Sequence, residues 1–296
     1  MIRKPFILFF MSLLVIQCNS VKTNNLVFKN AKIQLISDQF SFTEGPSADS
    51  SGNVYFTDQP NDKIFFWDWK SNEIKEFRKG NGRANGTFFD KNDNLLTCSD
   101  ENGQILKINK SGSVETIVFN YQNKRFNGPN DLWLDESNGI YFTDPLYERD
   151  YWQGFHQEIF EKNLYYRNTD GKITKLDTFL QPNGIVGSKK FKKLYVSDID
   201  VNKTYIYDII GAGKLTNKKL FCNLGSDGMT LDSQGNLYIT GNGVTVFNKN
   251  GKQIQHIAVP EKWTANVTFG GDNFSTLFIT ASQSVYSLKM NVSGSD

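Results

Sequence analysis

One short pattern constrains the fold of this chain more than any other feature. Two large apolar residues followed by Thr or Ser occur six times, at intervals of 40 to 54 residues, and most copies follow a cluster of turn-forming residues. Each copy therefore predicts a strand, a tight turn and a second strand. The hydroxyl residues, which we call the marker residues, are Thr57, Thr97, Thr143, Ser197, Thr240 and Thr280. Six repeats of this length predict an all-β fold, a six-bladed β-propeller.

The two ends of the repeat array predict how the propeller closes. The sixth repeat, residues 266–290, has room for only three strands, and an apolar stretch at residues 32–36 precedes the first repeat without a partner. We expect this N-terminal strand to form the outer strand of the last blade, which removes an open sheet edge. The propeller is predicted to span residues 26–290, with a C-terminal tail at 291–296.

Composition excludes several other classes of protein. The chain has 33 basic and 31 acidic residues, a balance that argues against a nucleic-acid binder, which normally presents a basic face. Three cysteines are too few for a disulfide scaffold, and Cys98 and Cys222 are expected to be buried free thiols. The two histidines, His156 and His256, lie far apart and make an imidazole-rich metal site impossible. No Gly-x-Ser-x-Gly nucleophile pattern occurs.

The first 17 residues have the pattern of an export signal, with two basic residues before an apolar run. The run is short for a membrane span, and it ends at Cys18, where a bacterial lipoprotein would be cleaved and lipidated. Gln17 stands where a small residue is usual, so a soluble exported protein and an uncleaved anchor are the alternatives. Residues 18–25 would form a tether. We expect an exported monomer, periplasmic or membrane-anchored, that meets the membrane only through Cys18.

Every repeat also carries a carboxylate or an amide 12 to 14 residues before its marker residue, at the predicted start of the inner strand. These residues are Glu44, Asn85, Asn130, Asn183, Asp227 and Asn266. Because inner strands line the central channel of a propeller, the six side chains are expected to form a ring at one end of it. Asn-Gly and Asp-Gly pairs are also ordinary turn formers, but six copies in phase favour a site.

The composition of this ring indicates which ligand it suits. Two carboxylates that face each other across a narrow channel repel one another, and a divalent cation would neutralise them. The ring offers hard oxygen donors and neither thiolate nor imidazole. Such donors suit Ca²⁺, with Mg²⁺, Mn²⁺ or Zn²⁺ as alternatives.

Short motifs in every blade resemble those of one known family. They are Phe42-Thr43-Glu44-Gly45-Pro46, Arg83-Ala84-Asn85-Gly86, Phe126-Asn127-Gly128-Pro129-Asn130-Asp131-Leu132, Tyr141-Phe142-Thr143-Asp144-Pro145, Gln181-Pro182-Asn183-Gly184, Ser226-Asp227-Gly228-Met229 and Asn266-Val267-Thr268-Phe269-Gly270-Gly271. In order and spacing they resemble the senescence-marker-protein/gluconolactonase family of six-bladed propellers, which includes regucalcin and bacterial sugar lactonases.

The resemblance implies a hydrolase that opens a small-molecule sugar lactone with one bound divalent cation. It assigns the cation to Glu44, Asn183 and Asp227. The cation would act as a Lewis acid on the lactone carbonyl and lower the pKa of a bound water, and Asp227 would be the catalytic residue that takes the proton. The resemblance also implies that Asn130 contacts metal, water or substrate, and we assign it to substrate binding.

Two further residues are predicted to bind substrate. Asn85 is a member of the same ring. Arg125 is the nearest arginine before the Asn130 motif, where regucalcin-like members carry a substrate-binding arginine, although its offset from the motif differs from theirs.

The longest interval between marker residues, 54 residues, contains an aromatic loop after Pro145. Tyr147 and Trp152 lie in this loop. Aromatic side chains stack on sugars and exclude water, so the loop is a candidate lid, and a self-packed loop at the blade edge is the alternative. Two other functions remain open: a related propeller hydrolase for other esters or organophosphates, and a non-catalytic metal-binding or interaction propeller.

Overall fold

A computed structural model describes residues 25–152 and 154–295. The predicted signal peptide and Cys18 lie outside the described residues. Within the described ranges, 24 strands form six four-stranded antiparallel sheets, which confirms the all-β, six-bladed propeller. No helix in this part of the chain is long and apolar enough to cross a membrane.

Each blade runs from an inner strand at the channel to an outer strand at the surface. The first blade comprises β2 (Thr43–Ala48), β3 (Val54–Asp58), β4 (Lys63–Asp68) and β5 (Glu73–Lys79). The second comprises β6 (Ala84–Phe89), β7 (Leu95–Ser99), β8 (Gln104–Ile108) and β9 (Val114–Val118). The third comprises β10 (Leu132–Leu134), β11 (Ile140–Asp144), β12 (Lys162–Arg167) and β13 (Ile173–Phe179).

The remaining blades follow the same plan. The fourth comprises β14 (Pro182–Ser188), β15 (Lys193–Asp198), β16 (Lys203–Gly211) and β17 (Lys214–Cys222). The fifth comprises β18 (Met229–Leu231), β19 (Leu237–Gly241), β20 (Gly243–Phe247) and β21 (Gln253–Ile257). The sixth comprises β22 (Thr264–Gly270), β23 (Thr276–Ala281), β24 (Ser284–Lys289) and β1 (Gln34–Ser37). Two single-turn 3₁₀ helices lie at Gln59–Asn61 and Asp272–Phe274.

The marker residues lie in the second strand of each blade, and most of their hydroxyls hold the next blade. The large apolar residues before them fill the core between blades, where the ring of Phe56 lies 5.6 Å from that of Phe278. Three marker hydroxyls donate to a main-chain carbonyl at the start of the following inner strand: Thr57 to Asn85 at 3.1 Å, Thr143 to Asn183 at 2.7 Å and Thr240 to Ala265 at 2.8 Å. A buried hydroxyl needs such an acceptor. Thr97 is an exception, since its hydroxyl is buried without a partner.

The N-terminal strand closes the propeller as predicted, at Gln34–Ser37 rather than at residues 32–36. It pairs antiparallel with β24 as the outermost strand of the sixth blade. Leu26 is buried in the cluster between the last two blades, and Thr43 Oγ1 donates to the carbonyl of Ser284 at 2.9 Å. Beyond β24, Gly294 forms an isolated bridge with Asp232 in the fifth blade.

The two described cysteines and His256 are part of the blade structure. Cys98 and Cys222 are both buried and free, as predicted. His256 lies in the outer strand of the fifth blade, where Nδ1 is 3.1 Å from Thr245 Oγ1.

An aspartate at the end of the second strand fixes the inner strand of three blades. In each case one carboxylate oxygen accepts from the main-chain N–H two residues before a polar residue of the predicted ring. The pairs are Asp58 with Phe42 at 3.1 Å, Asp144 with Gly128 at 2.8 Å and Asp198 with Gln181 at 2.9 Å. These hydrogen bonds hold the main chain in place directly before Glu44, Asn130 and Asn183.

Closure by the N-terminal strand predicts a difference between two truncations. Deleting residues 1–24 leaves β1 and Leu26 in place, whereas deleting residues 1–39 removes both. The longer deletion is expected to lower the Tm by at least about 5 °C, because loss of one buried leucine alone costs about 2 kcal/mol or more. Thermal unfolding of both proteins by circular dichroism measures this. Equal Tm values would contradict closure by β1.

The buried carboxylate of Asp144, which holds the inner strand of the third blade, predicts a pH dependence of stability. Burial raises its pKa to about 7, although the hydrogen bonds that it accepts from the N–H groups of Gly128 and Asn127 act to lower the pKa. The unfolded pKa is about 3.9, so the stability that this group contributes is present below about pH 4 and is lost as the pH rises to about 7.

We expect Asp144→Asn to flatten the decline in Tm between about pH 5 and pH 8, because asparagine does not titrate. Differential scanning calorimetry across this range measures the slope. The same slope in variant and wild type would show that Asp144 does not titrate there.

Candidate functional site

The six polar residues predicted to form a ring lie together, at the end of the channel where the inner strands begin. Asn183 Nδ2 donates to Asp227 Oδ1 at 2.8 Å, and Asn266 Nδ2 donates to Glu44 Oε2 at 3.2 Å. Asp227 is partly exposed, and the other members are buried. We call Glu44, Asn85, Asn130, Asn183, Asp227 and Asn266 the polar ring.

The glycines that follow four ring residues are required by the approach of the neighbouring blade. A Cβ atom on Gly45 would lie 2.0 Å from the carbonyl oxygen of Asn85, and one on Gly228 would lie 1.9 Å from Asn266 Cγ. Both distances are far below van der Waals contact, so only glycine fits. The Asn-Gly and Asp-Gly pairs therefore mark contacts between inner strands, which is a stronger constraint than turn formation.

Three acids at this end of the channel disfavour one another's charge. Burial raises the pKa of Glu44 well above its ordinary value, and the negative charge of Asp227 raises it further. Burial also raises the pKa of Asp227, against hydrogen bonds from Trp263 and Asn183. The pKa of Asp131 is raised to about 7, first by burial and also by the charge of Asp227. A bound cation would stabilise the ionised forms of all three acids.

Two buried amide oxygens have the chemistry of cation ligands. The Oδ1 atoms of Asn85 and Asn183 are buried without a hydrogen-bond partner. Asn183 Nδ2 is already engaged, since it donates to both Asp227 and Tyr147 at 2.8 Å. Unpaired buried carbonyl oxygens are costly, and hard cations bind them readily.

The candidate ligands therefore combine carboxylates with an amide. No group of three or more His, Cys, Asp or Glu residues suited to a metal ion occurs within the described ranges, so amide oxygen is needed to complete a site. Glu44, Asn183 and Asp227 together supply hard oxygen donors and two negative charges. This donor set fits a single divalent cation.

The aromatic loop between β11 and β12, residues 145–161, lies on the same face as the polar ring and is fastened to it. Tyr147 Oη accepts from Asn183 Nδ2 at 2.8 Å. Tyr151 Oη donates to Asp100 Oδ2 in the second blade at 2.6 Å. Trp152 packs against Gly128, two residues before Asn130. The loop is thus placed to cover the ring, and its action as a lid stays a prediction.

Arg125 is engaged in holding the main chain. Its Nη1 donates to the carbonyl of Phe126 at 2.7 Å, its Nη2 donates to that of Glu101 at 2.8 Å, and its guanidinium stacks 4.7 Å from the ring centre of Phe155. These bonds join the second and third blades and leave few donors for a ligand. Substrate binding by Arg125 stays a prediction without support from these contacts.

Three residues near the ring did not stand out from the sequence. Asp131 was visible only as the neighbour of Asn130. Trp263 Nε1 donates to Asp227 Oδ2 at 2.6 Å, although 36 residues separate the two. Arg149 lies in the aromatic loop, and its charge lowers the pKa of Asp227. No spacing rule could have identified Trp263 or Arg149, because irregular loops carry both.

A cavity of about 770 Å³ opens at the other end of the channel and reaches as far as Asp131 and Asn266. Aspartates of the turns between first and second strands line it, and they accept hydrogen bonds within those turns: Asp49 from Asn53 N at 2.9 Å and Asp135 from Gly139 N at 2.8 Å. Since these carboxylates serve to close turns, the polar ring is the better candidate site.

Comparison with known proteins agrees with this fold. The family described as the SMP-30/Gluconolactonase/LRE-like region matches residues 42–283. A gluconolactonase of Zymomonas mobilis subsp. mobilis is 27% identical over 299 residues, covering 88% of this chain and 82% of that protein. Diisopropyl-fluorophosphatase of Loligo vulgaris is 26% identical, covering 83% of this chain and 87% of that protein.

A solved structure has a similar fold. That of a gluconolactonase from Xanthomonas campestris has a TM-score of 0.83 at 25% identity, and the match covers 90% of this chain and 91% of that one. Because the family match spans five blades and part of the sixth, and the solved structure shares the propeller, the chain belongs to the SMP-30/gluconolactonase family.

Proposed function

We propose that the protein hydrolyses sugar lactones with the help of one divalent cation held by Glu44, Asn183 and Asp227. The observation that carries this proposal is the unpaired Oδ1 of Asn183, whose amide contacts Asp227, at a ring where both Glu44 and Asp227 have raised pKa values. Such an arrangement is unfavourable by itself and suits a cation. The named activity of the Zymomonas mobilis relative supports a lactone as the substrate.

The reaction adds water across the acyl bond of the lactone. The water oxygen bonds to the carbonyl carbon, the bond from that carbon to the ring oxygen breaks, and the proton ends on the released hydroxyl. When bound, a divalent cation supplies Lewis acidity for the carbonyl oxygen. Ca²⁺ is the proposed ion because the donors are hard oxygens in a ring of amides and carboxylates.

Asp227 is the proposed proton acceptor because its carboxylate is held from two sides. Trp263 Nε1 donates to Oδ2 at 2.6 Å and Asn183 Nδ2 donates to Oδ1 at 2.8 Å. A carboxylate fixed in this way presents its remaining lone pairs in one direction, as proton transfer from water requires. Its partial exposure gives it access to substrate.

The other ring residues have supporting roles in this proposal. Glu44 supplies charge and is oriented by Gly45 N at 2.7 Å and by Asn266. Asn85 and Asn130 present amides to the substrate hydroxyls. The aromatic loop, with Tyr147 and Trp152, excludes water from the occupied site.

A second candidate function is hydrolysis of organophosphate esters. The similarity to diisopropyl-fluorophosphatase over 83% of this chain favours it, and the same donors could polarise a phosphoryl oxygen. A panel of aldonolactones and a fluorophosphate, each with and without chelator, distinguishes the two. Loss of lactone hydrolysis on chelation, with restoration by Ca²⁺, is the expected result. A propeller that serves only for binding would hydrolyse none of them.

The roles of the two carboxylates predict different responses to added cation. Glu44→Gln removes one charge, so it should weaken cation binding, and excess Ca²⁺ should restore part of the activity. Asp227→Asn removes a ligand charge and the proton acceptor, so its rate should stay about 100-fold or more below wild type at saturating Ca²⁺. Lactonase rate against Ca²⁺ concentration measures both. Full rescue of Asp227→Asn would show that Asp227 is only a ligand.

The hydrogen bond between Tyr147 and Asn183 predicts an effect on cation affinity. Tyr147→Phe keeps the aromatic ring but removes the acceptor that helps orient the Asn183 amide, so Ca²⁺ binding should weaken about tenfold. Isothermal calorimetry measures this without substrate. Tyr151→Phe is the matched control, because that hydroxyl contacts Asp100 and no ring residue. Equal affinities of the two variants would argue against an orienting role for Tyr147.

A further inference from the structure

Arg149, in the aromatic loop, is held firmly beside the polar ring. Its Nε lies 3.5 Å from Asp100 Oδ2, and its guanidinium carbon lies 5.3 Å from the ring centre of Tyr147. Tyr147 in turn contacts Asn183. The side chain is about one-third exposed, at 32%. The Nε–H group makes no hydrogen bond, so the ion pair with Asp100 and the stacking on Tyr147 are what restrict the orientation of the guanidinium.

Three arginines stack on aromatic residues of this loop, and they differ in how their donors are used. Arg83 lies 4.0 Å from the ring centre of Tyr151, and its Nη1 donates to the carbonyl of Pro60. Both Nη atoms of Arg125 donate to main-chain carbonyls. The Nη atoms of Arg149 have no hydrogen-bond partner among the described residues. Arg149 is therefore the member of the three in which neither Nη group is engaged, whereas Arg83 has lost one of the two to Pro60 and Arg125 both.

The open edge of Arg149 has the geometry for one chemical class of ligand. Asp100 occupies the Nε side, which leaves the paired Nη1 and Nη2 donors. Two parallel N–H donors match the two oxygens of a carboxylate, whereas a single hydroxyl can satisfy only one of them. The influence of Arg149 on the pKa of Asp227 places this edge within electrostatic reach of the polar ring.

The charge balance of the site gives the guanidinium of Arg149 a role in substrate selection. With a divalent cation bound, the charges of Glu44 and Asp227 would be neutralised, so the ring would offer no excess positive charge to a second carboxylate on the substrate. A substrate with its lactone carbonyl at the ring and a carboxylate at its other end needs a cation to receive that carboxylate. We propose that the site takes sugar lactones that carry a second, free carboxylate, and that the Nη edge of Arg149 binds it. This inference rests on the proposed lactonase function.

The test compares two lactones that differ in one group: glucono-lactone, which ends in a neutral hydroxymethyl group, and the lactone of glucaric acid, which ends in a carboxylate. Values of kcat/KM are measured for wild type, Arg149→Gln and Arg149→Lys. Wild type should prefer the carboxylate-bearing lactone. Arg149→Gln should lose about 10- to 100-fold on that lactone, the scale of a hydrogen-bonded charge pair. The loss on the neutral one should be clearly smaller, because there the substitution removes only the influence of the Arg149 charge on Asp227.

Two controls separate this role from a structural one. Arg149→Lys keeps the charge but loses the paired donors, so it should retain part of the preference. Arg83→Gln removes an arginine that stacks on the same loop but whose Nη1 is engaged, and it should change both rates by the same factor. An equal loss on both lactones in Arg149→Gln would show that Arg149 only holds the loop and would overturn the inference.

The outcomes also distinguish this inference from the proposed function. If wild type opens only the neutral lactone, the lactonase function stands and the inference is wrong. If wild type opens neither, the function fails, and calorimetry with the open-chain products decides the remaining question. Tighter binding of glucarate than of gluconate, lost in Arg149→Gln, would still support a carboxylate site, and equal binding would overturn it.

Discussion

Buried hydroxyl groups that cross the boundary between blades hold this structure together at its centre. Thr57, Thr143 and Thr240 each donate to a main-chain carbonyl at the start of the next inner strand, at 2.7 to 3.1 Å. Each bond contributes only about 1 kcal/mol, but an unpaired hydroxyl would cost more, so the position is strongly specified. The same carbonyls belong to the residues of the polar ring or their neighbours. The same contacts therefore hold neighbouring blades together and position the polar ring.

This coupling explains how the fold can tolerate unfavourable charge at its centre. Glu44, Asp131 and Asp227 are all acids whose pKa values burial raises. Main-chain and amide N–H groups satisfy part of their oxygens, yet Asn183 Oδ1 stays unpaired. The core of this propeller is divided into six clusters of buried apolar side chains between the blades, so local electrostatic strain at the channel need not unfold it. In the proposed function, a bound cation would relieve this strain.

The aromatic loop is attached to a ring that the six repeats supply. Tyr147 reaches Asn183, Tyr151 reaches Asp100 in another blade, and Arg149 lies between these two attachments. A loop fastened at two points can orient a guanidinium that would otherwise move freely. Because the loop lies outside the repeat, its residues other than Tyr147 can change without altering the contacts that form the ring.

Much of this could be read from the sequence because the repeat is regular. The spacing of Thr57 and its equivalents determined the number of blades, the orphan strand before Thr43 determined the closure, and the phase of Glu44, Asn183 and Asp227 determined which side chains meet. These properties follow from strand periodicity and from the symmetry of a closed ring, which every blade must obey.

The tertiary structure alone decided what surrounds those side chains. Trp263 is 36 residues from Asp227 in the chain and 2.6 Å from it in space, and Arg125 proved to be bound to main-chain carbonyls while Arg149 retained open donors. These residues lie in irregular loops, where no period relates sequence position to direction. Only the closing of the ring brings such loops onto one face, so partners, burial and pKa shifts could not be inferred before the blades were assembled.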